Sequence, residues 1–249
     1  MATFEEQVEA LTTIAITGST VPTQTQLTQF LKDGVIDVTN RWIAVNPQDE
    51  RQFMAKTASQ SSQGANLNGA KIISVLREQT TWDYPSAEDV HADSTAWRKC
   101  RLITADMISS VQIKTSLHYA DETSPVYWID ENNAIRVLPT PDTSSNDSYV
   151  IYYVNNTPQR ADGTALVYSD SDLKYFPSNK VYLVPLYASI KTIESKLASL
   201  TLSEEDLELA NGLTITLQHL KDWYFKSFLP DPKYQLAKAQ MQSQAAQGS

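Results

Sequence analysis

Three histidines, His91, His118 and His219, and a single cysteine, Cys100, are the side chains of this chain best suited to act as base, nucleophile or soft metal ligand near neutral pH. A nucleophilic triad needs a base beside its nucleophile and a third group to orient that base. None of the three histidines falls in a nucleophile or metal-binding motif, so they read as ordinary surface or core residues. Cys100 precedes Arg101, and a neighbouring cation can lower a thiol pKa; the more ordinary role is a small packed side chain.

Other constellations fail at identifiable positions. Gly64 and Gly69 have the spacing of a phosphate-binding loop, but Ala70 stands where the lysine is required, and Lys71 and Ile72 misplace the cation and the magnesium-binding hydroxyl. Asp170 and Asp172 open like a calcium loop, yet Leu173, Lys174 and Tyr175 break the oxygen-ligand pattern, which leaves a turn or capping role. The aromatics Tyr127, Trp128, Tyr149, Tyr152 and Tyr153 suggest a stacking platform for bases or sugars, although their alternation on strands predicts core positions equally well. Asp121, Glu122, Asp130 and Glu131 would have to supply the carboxylate pair of a glycan hydrolase, whose mechanism depends on their separation. The expected assignment is no enzyme, no metal and no cofactor.

Composition narrows the partners. With a formal charge of -9, the chain is not built for general attraction to phosphate backbones. One cysteine excludes an intrachain disulfide. Glu5, Glu6 and Glu9 stand where a signal peptide would be basic and then apolar, and no stretch approaches the roughly 20 apolar residues that span a bilayer. The Asn146 and Asn155 sequons therefore carry little meaning.

The elements that must position any site come from periodicity. Leu27, Phe30, Leu31, Val35, Val38 and Trp42 recur at helical spacing over 23–44, with Gly34 as a weak point. The stretch 52–67 fits either a short helix or a loop. Ile72–Leu76 is a strand candidate, Asp83–Ser86 a turn, and 97–108 is ambiguous. The runs 111–117, 126–129, 134–138 and 149–154 read as strands, with Glu131, Asn132 and Asn133 forming a hairpin connection. Helix resumes after Ser178, a candidate cap, with Pro185 forcing a kink or a later start.

The last third carries the strongest signal. Val181, Val184, Tyr187, Ile190, Ile193, Leu197 and Leu200 form one stripe; Leu207, Ala210, Leu213, Leu217, Leu220, Tyr224 and Phe228 form another. Ser203 and Asp206 suggest a cap between them, and the short connection implies an antiparallel hairpin. Leu183, Leu186, Leu209, Ile215, Trp223 and Phe225 lie off both stripes and need a further surface, either inside the domain or on a neighbouring subunit. Beyond Pro230 too little apolar residue remains for independent folding, which predicts either a disordered terminus or a segment that orders on a partner, with Tyr234, Leu236 and Met241 as its anchors. The expected fold class is α+β: a mainly helical body with a C-terminal helical hairpin, an inserted small antiparallel sheet and an extended tail. The expected regions are 1–108, 109–176, 177–229 and 230–249.

The segments Trp97-Arg98-Lys99-Cys100-Arg101, Ser124-Pro125-Val126-Tyr127-Trp128-Ile129, Ile135-Arg136-Val137-Leu138-Pro139 and Val184-Pro185-Leu186-Tyr187-Ala188, in this order, resemble those of virion structural proteins of tailed bacteriophages. Within that group the layout looks like a head-to-tail connector, also called an adaptor or neck protein; the alternative positions are a tail terminator or a baseplate component, and a carbohydrate-binding module stands further off. The resemblance implies a homo-oligomeric ring, commonly of twelve subunits, in the virion neck, assembled in the host cytoplasm without a membrane. It would sit between the portal protein and the next neck or tail protein, around genomic DNA that passes without sequence recognition. Carried onto this chain, Phe228, Leu229, Tyr234, Leu236 and Met241 would engage the portal, and Leu209, Ile215, Trp223 and Phe225 would supply the oligomer interface.

Overall fold

The computed structural model describes residues 2–79, 96–141, 148–203 and 207–229. In chain order the elements are helices α1 (Phe4–Thr12) and α2 (Gln24–Val45), strands β1 (Met54–Lys56), β2 (Ala65–Asn66), β3 (Ile72–Gln79), β4 (Ala96–Lys99) and β5 (Arg101–Leu102), and the short helix α3 (Ile108–Gln112). Then follow β6 (Val126–Ile129), β7 (Ala134–Leu138), β8 (Tyr149–Val154), α4 (Leu183–Ser203) and α5 (Leu207–Lys226). The architecture is α+β with a C-terminal helical hairpin, and the chain divides into a helical unit, 1–53 with 156–249, and a β unit, 54–155.

The helical unit is built around α4, which packs against α1, α2 and α5. That central position explains why apolar residues occur on more than one of its faces: Leu183 and Leu186, off the expected stripe, are fully buried beside Val184, Ala188 and Ile193. Two capping boxes start the N-terminal helices. Thr3 Oγ1 accepts from the Glu6 amide at 3.2 Å while Glu6 Oε2 accepts from the Thr3 amide at 2.8 Å, and Thr23 and Gln26 repeat the device on α2. Gly34 is explained by packing. A Cβ there would lie 3.1 Å from the Tyr187 ring and 3.3 Å from the Val184 carbonyl oxygen, so the glycine allows α2 and α4 to approach closely. Pro185 is the third residue of α4, where its missing amide has no intrahelical partner to lose, so the expected later start occurs. Ser178 lies within a 3-10 turn, Ser178–Lys180, whose cap position is Pro177. The 203–206 cap, the 83–86 turn and Tyr234, Leu236 and Met241 lie wholly or partly outside the described residues.

Among the described residues the β unit holds two four-stranded sheets, β1-β8-β3-β4 and β2-β7-β6-β5, antiparallel except for the parallel β5–β6 pair. Strand alternation explains their packing. Tyr127, Ile135 and Val137 from one sheet and Val75, Tyr149 and Ile151 from the other meet in a shared core with Cys100. Val126, Trp128 and Leu138 point to the opposite face, where Ile103, Val111 and Ala120 cover them. Met54 pairs with Val154, so the incoming and outgoing chains of the insertion are neighbouring strands.

The unit begins at Met54 and ends at Asn155 instead of covering 109–176, because β1, β3 and β4 supply three strands of the first sheet and β2 joins the second. The stretch 156–176 belongs with the helices: the Phe4 amide donates to the Asp170 carbonyl at 2.7 Å, the Glu5 amide donates to the Tyr168 carbonyl at 3.1 Å, and Leu166 is buried in the helical core. The expected strand 111–117 is also corrected. Residues 108–112 form α3, Val111 alone of its residues is buried, and Ile113 and Leu117 are exposed, so their β-branched and apolar character reflects no sheet. The undecided 52–67 region contains the end of a 3-10 helix and strands β1 and β2.

Candidate protein-interaction surface

The chemistry weighed from sequence is dispersed. His118 and His219 are exposed, on the β unit and on α5, and His91 lies outside the described residues. Cys100 is buried, and burial pushes its thiol up to about 12, against the lowering that Arg101 suggested. Asp170 and Asp172 serve turns: Asp170 Oδ2 accepts from the Val167 amide at 2.8 Å, Asp172 Oδ1 accepts from the Ala161 amide at 3.2 Å, and Arg160 bridges Asp162 and Asp170. Among the described residues no group of three or more His, Cys, Asp or Glu is placed to hold a metal ion.

Two of the four carboxylates considered for hydrolysis are engaged in local structure. Asp121 Oδ1 accepts from the Thr123 hydroxyl at 2.7 Å and the Ser124 amide at 2.8 Å, bonds that hold its carboxyl below the usual range. Asp130 Oδ1 accepts from the amides of Asn132 and Ala134, both at 2.9 Å, and Oδ2 accepts from Arg136 Nε at 2.8 Å. Asp130 thereby shapes the β6–β7 hairpin, in which Asn133 adopts φ 56°. The aromatic platform also dissolves. Tyr127, Tyr149 and Tyr153 face the inter-sheet core while Trp128 faces the opposite side of its sheet, and the Tyr149 hydroxyl donates to the Ser62 carbonyl at 3.1 Å.

Helix α5 is different. Its stripe of Leu213, Leu220 and Tyr224 is buried, but Leu209, Ile215, Trp223 and Phe225 are 43%, 61%, 49% and 52% exposed. At about 100° per residue, Leu209 and Trp223 fall on one flank of the stripe, Phe225 on the other and Ile215 on the outer side. They do not form a single patch. Trp223 stacks on Tyr182, ring centroids 6.4 Å apart, and the Arg41 guanidinium lies 5.3 Å from the Phe225 ring centroid.

The end of α5 is held by an aromatic cluster. Phe228 is 5% exposed, in edge contact with Tyr224 at 5.0 Å and 6.1 Å from Trp42. It is a core residue and not the portal-facing anchor expected of it; Leu229, next in the chain, is 69% exposed. The Lys180 ammonium sits 3.7 Å from the Trp42 ring centroid, and the Trp42 indole donates to Asp49 Oδ2 at 3.0 Å. Partial burial pushes the Lys180 pKa down, opposed by Asp49.

A recess lies between the end of α1 and the first half of α5. One hollow of about 520 Å³ is lined by Leu11, Thr13, Glu208, Leu209, Gly212 and Thr216. A second of about 230 Å³ shares Thr13, Leu209 and Leu213 and reaches Ile14, Val21 and Lys196. Sequence reasoning named Leu209 but missed the recess; the available signal was Gly212, an interior helix glycine without a turn to justify it.

A comparison with protein-family models gives no match, and no curated protein compared with the chain is similar to it at a significant level. The reading of function therefore stands on the chain itself. Among the described residues no helix is long and apolar enough to cross a membrane.

Proposed function

We propose that the chain is a non-enzymatic structural subunit of a tailed-bacteriophage head-to-tail connector, a homo-oligomeric ring in the virion neck that joins the portal to the next neck or tail protein around the DNA exit channel. The observation that carries this reading is the placement of exposed apolar side chains on separate flanks of α5. A closed ring repeats a heterologous contact, so each subunit needs two different patches beyond its own core. Leu209 and Trp223 on one flank and Phe225 on the other meet that requirement better than a single self-complementary patch would.

Three further features support it. The order of segments resembles that of phage virion proteins, the β unit is an insertion whose two chain crossings are paired strands, and the net charge of -9 suits a conduit along which DNA slides without being held. Tyr234, Leu236 and Met241 are the proposed portal contacts, with Leu229 at their root. Sedimentation of the full chain with and without the cognate portal ring tests the reading. Co-sedimentation as a ring-sized complex is expected; a chain that stays monomeric and never joins the portal would refute it.

A further inference from the structure

Helix α5 carries a projection on one flank and a hollow on the other. The projection is Phe225, 52% exposed. Its ring is held from two sides, by edge contact with Tyr224 at 5.7 Å and by the Arg41 guanidinium 5.3 Å from its centroid. The hollow of about 520 Å³ lies against the end of α1 at Gly212. At about 100° and 1.5 Å per residue, Phe225 and Gly212 stand about 140° apart around α5 and about 20 Å apart along it.

Gly212 has no explanation inside the subunit. An interior helix glycine costs helix stability against alanine. At Gly34 a close helix contact accounts for the glycine, whereas a Cβ at Gly212 would meet nothing within 4 Å. What the missing side chain does is keep the hollow deep between Leu11, Leu209 and Leu213.

We propose that the Phe225 ring of each subunit seats in the hollow at Gly212 of the next copy, a head-to-tail contact that repeats around the ring. The inference rests on the connector reading for the ring itself and adds which residue enters which site. Leucine walls suit an enclosed aromatic, the kind of side chain that carries much of an interface's binding energy. A ring already held by Tyr224 and Arg41 also loses little freedom on docking.

Charge favours the same occupant. Glu208, exposed, is the charged residue among those lining the larger hollow, while Lys196 lines only the smaller one. Arg41 stands beside Phe225 with its side chain 46% exposed, so seating the ring brings Arg41 of one copy toward Glu208 of the next. Arg41 is already paired with Asp37, and this rim contact sets register more than it adds affinity. The contact also fixes how α5 lies. Subunits of a closed ring share one height, so Phe225 and the hollow are level. With about 20 Å between them along the helix, α5 runs closer to the plane of the ring than to its axis.

The test uses the full chain carrying Cys100→Ala, in the ring it forms alone or on the portal. Arg41→Cys with Glu208→Cys in one chain, treated with a short bis-thiol reagent, should give a ladder of linked chains on denaturing gels. Within one chain the two positions are about 25 Å apart along α5, beyond the reagent's reach. Either single variant should give no linked chains, because in a head-to-tail contact each position meets only the other. A ring without a ladder, or linked dimers from a single variant, would overturn the proposal and leave the connector reading standing; a chain that never forms a ring would sink both. In a second comparison, Gly212→Trp fills the hollow and should weaken ring formation at least about 10-fold with the circular dichroism unchanged, while Gly212→Ala assembles like the parent. Equal assembly of Gly212→Trp would count against the proposal.

Discussion

Tyr224 donates its phenol hydrogen to Asp37 Oδ2 at 2.6 Å, and the same oxygen accepts from Arg41 Nε at 2.6 Å, so one carboxylate on α2 fastens the C-terminal half of α5. Burial, then the Asp37 hydrogen bond, push the Tyr224 phenol above its ordinary range. The residue that closes the hairpin's core is thus also its polar fastening.

Tyr224→Phe removes that bond and leaves the ring in place. A hydrogen bond to a charged group is worth about 1.5–3 kcal/mol, and Arg41 still satisfies part of Asp37, so a loss near the lower end, about 1.5 kcal/mol, is expected in urea unfolding. No loss would mean that the phenol is solvated equally well without Asp37.

Gly34→Ala should destabilise, against the usual helix preference of roughly 1 kcal/mol for alanine. The added Cβ would press on the Val184 carbonyl oxygen, which is backbone and cannot swing aside. A net loss of about 1–2 kcal/mol is expected, with Gly34→Val worse. Thermal melts of the two variants check the order, and a stabilised Gly34→Ala would show that α2 and α4 can separate freely.

Cys100 predicts an alkaline slope. Its buried thiol keeps its proton to about 12 in the folded state against an ordinary 9.0, so the folded chain binds more protons between those values. Its contribution to stability is complete below pH 9 and is lost as pH rises toward 12, by up to about 1.4 kcal/mol per unit. Unfolding curves over that window should be flatter for Cys100→Ala than for the parent. The native thiol should also resist alkylation at pH 8 until the chain unfolds.

Because Met54 and Val154 are paired neighbours, the β unit should be removable. Joining Phe53 to Asn156 through a short glycine-serine linker is expected to leave a cooperatively unfolding helical protein, since α1, α2, α4 and α5 share their own core. Circular dichroism and a melt measure this; a molten product would show that the helical unit depends on the insertion.

Helices α2, α4 and α5 and the strongest strands were legible because each carries a full period of pattern, whereas α1, nine residues long, and the single turn of α3 were not read as helices. The stripe of α2, the runs 126–129, 134–138 and 149–154, and the hairpin connection at Glu131, Asn132 and Asn133 all occur as read. The capping boxes Thr3-x-x-Glu6 and Thr23-x-x-Gln26 are a further local signal, marking the starts of α1 and α2. What could not be read is long-range. The two-residue strands β2 and β5 have no period of their own, and β1 is a strand only because β8 pairs with it. Ile113 and Leu117 mimic alternation while pointing to solvent. At the candidate surface, sequence distinguished residues off the stripe but not which were buried: Leu183 and Leu186 vanish into the core because α4 is surrounded, whereas Leu209 and Ile215 stay exposed because α5 lies at the edge.

Altering the two flanks of α5 separates assembly from folding. Leu209→Asp and Phe225→Asp each place a charge where the single chain leaves the side chain partly in water, so each should cost the monomer about 1 kcal/mol or less while abolishing ring formation by sedimentation. If either variant still forms rings, that flank is not an interface.

The central claim is a place in the particle, and imaging tests it most directly. Cryo-electron microscopy of intact virions carrying a small fused tag on this chain should show a ring of extra density at the junction of head and tail, below the portal. Density at the tail tip or along the tail, or particles that lack the tagged chain altogether, would contradict the connector assignment.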